Sequence, residues 1–118
     1  MELSAVTAGD VRVISIASER IDAAAAIRFK DSMREATAGW SGRVILNMQA
    51  VDFIDSSGLG AIVSAMKALE GGQGLELAGL APKVVKVFRL TRMDTVFTIH
   101  ASLDAAHAPG HAHGTSAA

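Results

Sequence analysis

The 118-residue sequence has no cysteine, which excludes disulfide bonds, thiol nucleophiles and thiolate metal sites. It also has no apolar stretch of the roughly 18 residues that a membrane-spanning helix needs. Its first residues, Met-Glu-Leu-Ser, lack the basic and apolar regions of a signal peptide. These absences favour a cytoplasmic protein.

The chain also lacks an excess of charge of either sign, because it has 11 lysines and arginines and 12 aspartates and glutamates, for a net charge of −1. Nucleic acids and anionic membrane surfaces attract basic proteins, so neither is an expected partner. Hydrophobic residues make up 50% of the chain and charged residues 19%, which is typical of a globular protein. The length is sufficient for one domain with a modest core.

The clearest local pattern lies in the middle of the chain, from Arg43 to Leu69. Residues 43–48 form a short apolar run rich in β-branched side chains, which predicts a buried strand. Beyond Gly58 the apolar residues follow helical spacing, which predicts a helix with one face in the core. The members of that apolar stripe are Leu59, Ile62, Val63, Met66 and Leu69.

Between this strand and this helix lies the segment Asp55-Ser56-Ser57-Gly58. Aspartate and serine favour helix N-termini because their side-chain oxygens accept hydrogen bonds from the first free backbone N–H groups. One interpretation is that both serines are ordinary N-caps. The other is that Ser56 or Ser57 is a regulatory phosphoacceptor, since the helix dipole and the free N–H groups favour a phosphate there. Residue types alone leave both interpretations open.

The flanking segments alternate between strand and helix patterns. Asp22 precedes an alanine-rich segment and is predicted to cap the helix that this segment forms. The alternation predicts an α/β domain with a mixed, mostly parallel sheet of about five strands, an initial antiparallel hairpin, and three or four helices. Strands are predicted over 1–6, 11–16, 75–80 and 96–100, and helices over 23–39, from Pro82 onwards and over 102–107.

The segment from Val51 to Gly60, Val-Asp-Phe-Ile-Asp-Ser-Ser-Gly-Leu-Gly, resembles the signature of the STAS domain and, more narrowly, of the bacterial anti-sigma factor antagonists. The resemblance extends over residues 1–106 and implies a single small STAS-like domain. In that family the hydroxyl directly after the aspartate is phosphorylated by a serine kinase that is itself the anti-sigma factor. The resemblance therefore implies Ser56 as the phosphoacceptor, with Ser57 as the second choice.

The same resemblance implies a partner surface and two partner proteins. The unphosphorylated protein is expected to bind the anti-sigma factor serine kinase and so free a sigma factor, and a PP2C-type phosphatase is the expected counterpart of that kinase. No bound cofactor or metal is expected in this chain. The expected partner-binding residues are Asp22, Asp55, Ser56, Ser57, Gly58, Leu59 and Ile62.

One loop departs from the family pattern. Where the family usually has Gly-Glu-Leu-Asp, this chain has Glu19-Arg20-Ile21-Asp22. Ile21 is apolar like the leucine of the family pattern, and Asp22 matches its final aspartate. Glu19, however, replaces the glycine, and Arg20 replaces the glutamate. The loop lies beside the phosphoacceptor in the family, so its charges help to select the partner. The kinase that recognises this chain is therefore left open.

Two other functions are left open by the sequence. Ser56 or Ser57 at a strand-to-helix turn suits an enzyme nucleophile, but the Gly-x-Ser-x-Gly pattern is absent and only His100 is expected in the folded part. STAS domains also serve as scaffolds of stress complexes and as small subunits of lipid-transport ABC systems. The last segment, 107–118, is expected to be a disordered tail, and its His107, His111 and His113 to be a poor metal site.

Overall fold

The computed structural model describes residues 3–69 and 74–107, which form a small α/β domain, as predicted. Within them the strands are β1 (Leu3–Ala8), β2 (Val11–Ile16), β3 (Arg20–Ile21), β4 (Arg43–Asn47), β5 (Phe53–Ile54), β6 (Leu75–Ala78) and β7 (Thr98–His100). The helices in the same ranges are α1 (Ala23–Thr37), α2 (Ser56–Lys67), α3 (Pro82–Leu90) and α4 (Leu103–His107), with a 3₁₀ turn at Met93–Thr95.

The main sheet of the described part has five strands in the order β1-β2-β4-β6-β7. β1 and β2 pair antiparallel, with Val6 opposite Val13, and the other neighbours in this sheet pair parallel. The hairpin turns at Gly9, whose φ of +63° lies in the left-handed region that glycine adopts freely. The predicted hairpin and the predicted mixed, mostly parallel sheet are therefore confirmed.

The sheet carries a large apolar core on one face and a small one on the other. Side chains alternate along β4, so that Val44 and Leu46 join the large core and Ile45 joins the small one. Helices α1, α2 and α3 cover the large core and contribute Phe29, Ile62 and Phe88, respectively. α4 covers part of the opposite face, where Ala106 packs with Ile45.

A charged cluster lies beside α4 on this second face. Arg43 donates two hydrogen bonds to Glu76, from Nε to Oε2 at 2.9 Å and from Nη2 to Oε1 at 2.6 Å. His100 Nε2 lies 2.8 Å from the same Oε1, and Arg43 also donates to the carbonyl of Ala106 at 3.3 Å. Burial raises the pKa of Glu76, but the hydrogen bonds from Arg43 and His100 outweigh burial and hold that pKa below its ordinary value. The cluster thus ties β4, β6, β7 and α4 together.

A two-stranded parallel sheet, which no sequence pattern predicts, lies outside the main sheet. In it β3 pairs with β5, with Arg20 opposite Phe53 and Ile21 opposite Ile54. Each strand is followed at once by a capping aspartate and then by a helix, α1 after β3 and α2 after β5. The pairing therefore sets the N-termini of α1 and α2 side by side.

Several element boundaries differ from the predicted ones. β1 extends to Ala8 and α1 ends at Thr37. β7 begins at Thr98 because the N–H groups of Val96 and Phe97 both donate to the carbonyl of Met93, at 3.0 and 3.1 Å, and so belong to the 3₁₀ turn. His107 is the last residue of α4. The rest of the predicted tail, with His111 and His113, lies outside the described residues.

Candidate functional site

Asp55 forms the N-cap of α2. Its backbone is extended, with φ −108° and ψ −174°, and its Oδ1 accepts a hydrogen bond from the Gly58 N–H at 2.9 Å. Its carbonyl accepts the first helical hydrogen bond, from the Leu59 N–H at 2.9 Å. The aspartate therefore has the capping role, and the interpretation of the two serines as N-caps is wrong.

Ser56 and Ser57 are the first two residues of α2, and both are exposed. Neither hydroxyl makes a hydrogen bond with any residue that the structure describes. Their backbone N–H groups precede the first intrahelical donor, so they remain free at the positive end of the helix dipole. The site thus presents two accessible hydroxyls where an added negative charge would be stabilised.

Gly58 marks the point where α2 touches β3. A β-carbon on Gly58 would clash with the carbonyl oxygen of Ile21, which leaves no space for a side chain. The same carbonyl accepts a hydrogen bond from the Asp55 N–H at 3.4 Å. The glycine therefore lets the first turn of α2 pack directly on the backbone of the small sheet, and it fixes the position of the two serines relative to β3.

Asp22 repeats the arrangement of Asp55 one strand away. Its Oδ1 accepts a hydrogen bond from the Ala25 N–H at 3.2 Å, and its Oδ2 lies 3.4 Å from Arg20 Nε. The hydrogen bond from Ala25, assisted by that from Arg20, holds the pKa of Asp22 below its ordinary value against the opposing effect of desolvation. Two capping carboxylates therefore stand next to each other in the register of β3 and β5.

The two apolar residues expected on the partner surface have different positions. Leu59 is partly buried and packs against the edge of the large core. Ile62 is 0% exposed and lies inside that core, so the expectation that it contacts a partner is wrong. Ile62 belongs to the buried face of α2 together with Ala61 and Ala65, at helical spacing.

The contact of Arg20 with Phe53 is a further feature of this site. The guanidinium carbon lies 4.1 Å from the centroid of the Phe53 ring, and the pairing of β3 with β5 sets the two residues opposite each other. The ring keeps 38% of its surface exposed. The sequence signal for Arg20 is its departure from the family loop, whereas Phe53 cannot be identified as its partner without the pairing of β3 with β5.

His100, the histidine expected in the folded part, is engaged elsewhere, with Glu76 on the sheet face opposite to α2. In the part of the chain that the structure describes, no side chain hydrogen bonds to the hydroxyls of Ser56 and Ser57, as the base of an activated nucleophile would. The described residues contain no group of three metal-ligating side chains, and they include no helix long and apolar enough to cross a membrane.

Comparisons with known proteins identify a family by sequence and similar folds among solved structures. A sequence profile of the STAS domain matches residues 2–106. The fold is similar to that of an anti-sigma-factor antagonist (STAS) domain protein from Planctomyces limnophilus, with 22% identity, a TM-score of 0.77, and coverage of 88% of this chain and 92% of that one.

Two further solved structures are similar. The phosphorylated form of the Bacillus cell fate determinant SpoIIAA is 22% identical, with a TM-score of 0.61 and coverage of 89% of this chain and 96% of that one. A sulfate transporter family protein from Wolinella succinogenes is 20% identical, with a TM-score of 0.71 and coverage of 86% and 84%. These likenesses concern the fold.

Proposed function

The chain belongs to the STAS domain family, and we propose that within this family it is an anti-sigma factor antagonist whose binding to an anti-sigma factor is switched off by phosphorylation of Ser56. The observation that carries the proposal is the exposed hydroxyl of Ser56, which lacks a hydrogen-bond partner in the described part and directly follows the capping Asp55. A similar fold occurs in SpoIIAA, whose structure has been solved in a phosphorylated form.

The electrostatics of the site favour a change of surface over a change of fold. A phosphate on Ser56 adds about −1.5 to −2 charges at neutral pH, and the free N–H groups at the start of α2 accommodate this charge within the domain. The same charge, next to Asp55 and Asp22, makes the outer surface strongly negative. Release of the partner then follows from repulsion and from contacts that the phosphate blocks.

The partner surface comprises the exposed end of α2 and its surroundings. Neither Ile62 nor Gly58 is part of it, because Ile62 lies in the core and Gly58 is buried against the backbone of Ile21. The partner is the anti-sigma factor, itself a serine kinase, and a PP2C-type phosphatase reverses the modification in the cytoplasm; the chain itself catalyses no reaction. The surface consists of Asp22, Asp55, Ser56, Ser57 and Leu59.

Phosphorylation mapping tests this proposal. The purified protein is incubated with ATP and each anti-sigma factor kinase of the source organism, and the phosphate is located by mass spectrometry. We expect modification of Ser56, loss of modification in Ser56→Ala, and retention in the matched variant Ser57→Ala. If every kinase leaves both serines unmodified, or if Ser56→Asp binds the anti-sigma factor as tightly as the parent protein, the proposal fails.

A second candidate function is that of a STAS scaffold in a stress complex or of a small subunit in a lipid-transport ABC system. The likeness to the Wolinella succinogenes sulfate transporter family protein favours it, because that fold serves a transport protein. Purification of the tagged protein from its own organism distinguishes the two functions. Stoichiometric recovery of a permease supports the second candidate, whereas recovery of a serine kinase supports the switch.

A further inference from the structure

A shallow cleft with a volume of about 260 Å³ opens beside the first turns of α1. Two of its lining residues are arginines, and among the residues that line it only Asp22 is acidic. The carboxylate of Asp22 is already engaged, with the Ala25 N–H and with Arg20. The cleft therefore keeps a positive charge that its own acidic residue does not neutralise. Its lining consists of Ser18, Arg20, Asp22, Ala24, Ala25 and Arg28.

Arg20 is held in place at one wall of this cleft. Its guanidinium lies over the ring of Phe53, 4.1 Å from the centroid, and its Nε lies 3.4 Å from Asp22 Oδ2. Its terminal Nη groups have no hydrogen-bond partner among the residues that the structure describes. A guanidinium fixed in this way loses less conformational entropy when it binds a ligand, and its free donors suit a carboxylate.

Arg28 supplies the second positive charge, from the exposed side of α1. It makes neither an ion pair nor a hydrogen bond with any residue in the described ranges, so its charge is available to a ligand. Lys30 is also exposed but projects about 200° further around the helix, at 100° per residue, and does not line the cleft. The two arginines thus form a local anion site, distinct from the other cations of α1.

The surroundings of the cleft favour a single acidic side chain over a polyanion. Glu19 and Asp52 are exposed and lie close together, since the Asp52 N–H donates to the Glu19 carbonyl at 2.9 Å. Asp55 adds a third carboxylate near the end of β5. A nucleic acid or an anionic membrane would cover these groups as well as the cleft and be repelled by them, whereas a single carboxylate needs only the two arginines.

We infer that this cleft receives an aspartate or glutamate side chain of the partner protein, bound by Arg20 and Arg28. The inference rests on the proposed function and identifies the chemistry of the partner surface that docks beside Ser56. Arg20 lies opposite Phe53, three residues before Ser56, so the cleft borders the surface that the switch uses. Arg20 and Arg28 are thus specificity-determining residues, and a partner with a lysine or arginine at this contact is rejected.

The first test uses the anti-sigma factor kinase that phosphorylates the protein, as purified in the mapping experiment. Arg28→Glu is expected to raise the dissociation constant of this complex about tenfold at low salt, and less at high salt. Lys30→Glu is the matched control, with the same change of charge on the same helix, and is expected to leave the dissociation constant unchanged. Equal effects of the two variants on the dissociation constant would show that binding depends on the net charge of the protein and not on the cleft, and would overturn the inference.

The second test probes the cleft without the kinase. An acetylated Gly-Glu-Gly amide, which carries a single carboxylate, is titrated into the 118-residue protein at low salt, and the Nε–H resonances of the arginines are followed by NMR. We expect saturable shifts of Arg20 and Arg28, which disappear in Arg28→Glu and do not occur with the matched Gly-Lys-Gly amide. Absence of shifts at these two residues, while the kinase still modifies Ser56, overturns the inference and leaves the proposed function intact. Shifts at the cleft without kinase activity on Ser56 and Ser57 support acid binding and overturn the switch.

Discussion

The α-carbon of Gly58 packs directly against the carbonyl of Ile21, so closely that a methyl group on Gly58 would clash with the carbonyl oxygen. This contact joins the first turn of α2 to β3. It therefore sets the distance between the phosphoacceptor candidates and the loop that carries Arg20 and Asp22. The shape of the site depends on a residue that contributes no side chain to it.

Replacement of Gly58 is expected to destabilise the domain. Gly58→Ala forces the methyl group against backbone that cannot move aside easily, so the free energy of unfolding should fall by about 1–3 kcal/mol. Gly60→Ala is a matched control in the same helix, because a β-carbon there meets no atom within 4 Å. Gly60→Ala should leave the free energy of unfolding unchanged or raise it by up to about 1 kcal/mol, because alanine has a higher helix propensity than glycine. Urea denaturation measures both, and equal stabilities of the two variants would contradict the packing described.

Substitution of Asp55 separates capping from charge. Asp55→Ala removes the acceptor of the Gly58 N–H and should lower the free energy of unfolding by about 1 kcal/mol, whereas Asp55→Asn retains an N-cap and should lose only a fraction of that. Asp52→Ala removes a nearby exposed carboxylate with no capping bond and serves as the control. Thermal unfolding ranks the three variants. A loss in Asp52→Ala as large as that in Asp55→Ala would show that capping is not the cause.

The pH dependence of stability should report on Glu76. The pKa of Glu76 in the folded state lies below its ordinary value, so at acidic pH the unfolded chain binds more protons than the folded chain does. The stabilisation is therefore fully present above the ordinary pKa of glutamate and is lost as the pH falls through the folded-state pKa.

Glu76→Gln makes this contribution measurable. At pH 7 the variant should lose about 2 kcal/mol of stability, because Arg43 and His100 lose a charged partner. The difference from the parent protein should shrink as the pH is lowered towards 3, which is ~1 unit below the ordinary value. Glu35→Gln, on an exposed position of α1, is the control. A difference that stays constant over this pH range would show that the carboxylate does not make the contribution.

Much of the fold could be predicted because strong local patterns determine it. β2 has the predicted bounds and β4 nearly so, since both are β-branched runs buried in the sheet, and Pro82 begins α3 as predicted. The two-residue strands β3 and β5 could not be predicted, because a strand of that length has no periodicity of its own. Their pairing depends on the packing of α1 and α2 against the main sheet.

The candidate site was only partly predictable for a related reason. The segment Asp55 to Gly58 has a local signature that predicts the start of a helix, but residue types alone do not decide that Asp55, and neither serine, is the N-cap. The expectation that Ile62 contacts a partner conflicts with its place in the apolar stripe of the predicted helix. The structure follows the stripe and buries Ile62 with Ala61 and Ala65. The cleft at Arg28 has no signature, because it exists only once β3 and α1 are placed together.

The most direct test of the account is the dissociation constant of the purified anti-sigma factor kinase for two forms of this protein, one unmodified and one stoichiometrically phosphorylated on Ser56. The account predicts that the phosphate raises this constant by at least about tenfold, or about 1.4 kcal/mol, while circular dichroism of the two forms stays the same. Equal affinities for the two forms would contradict it, and so would weaker binding that is accompanied by loss of the fold.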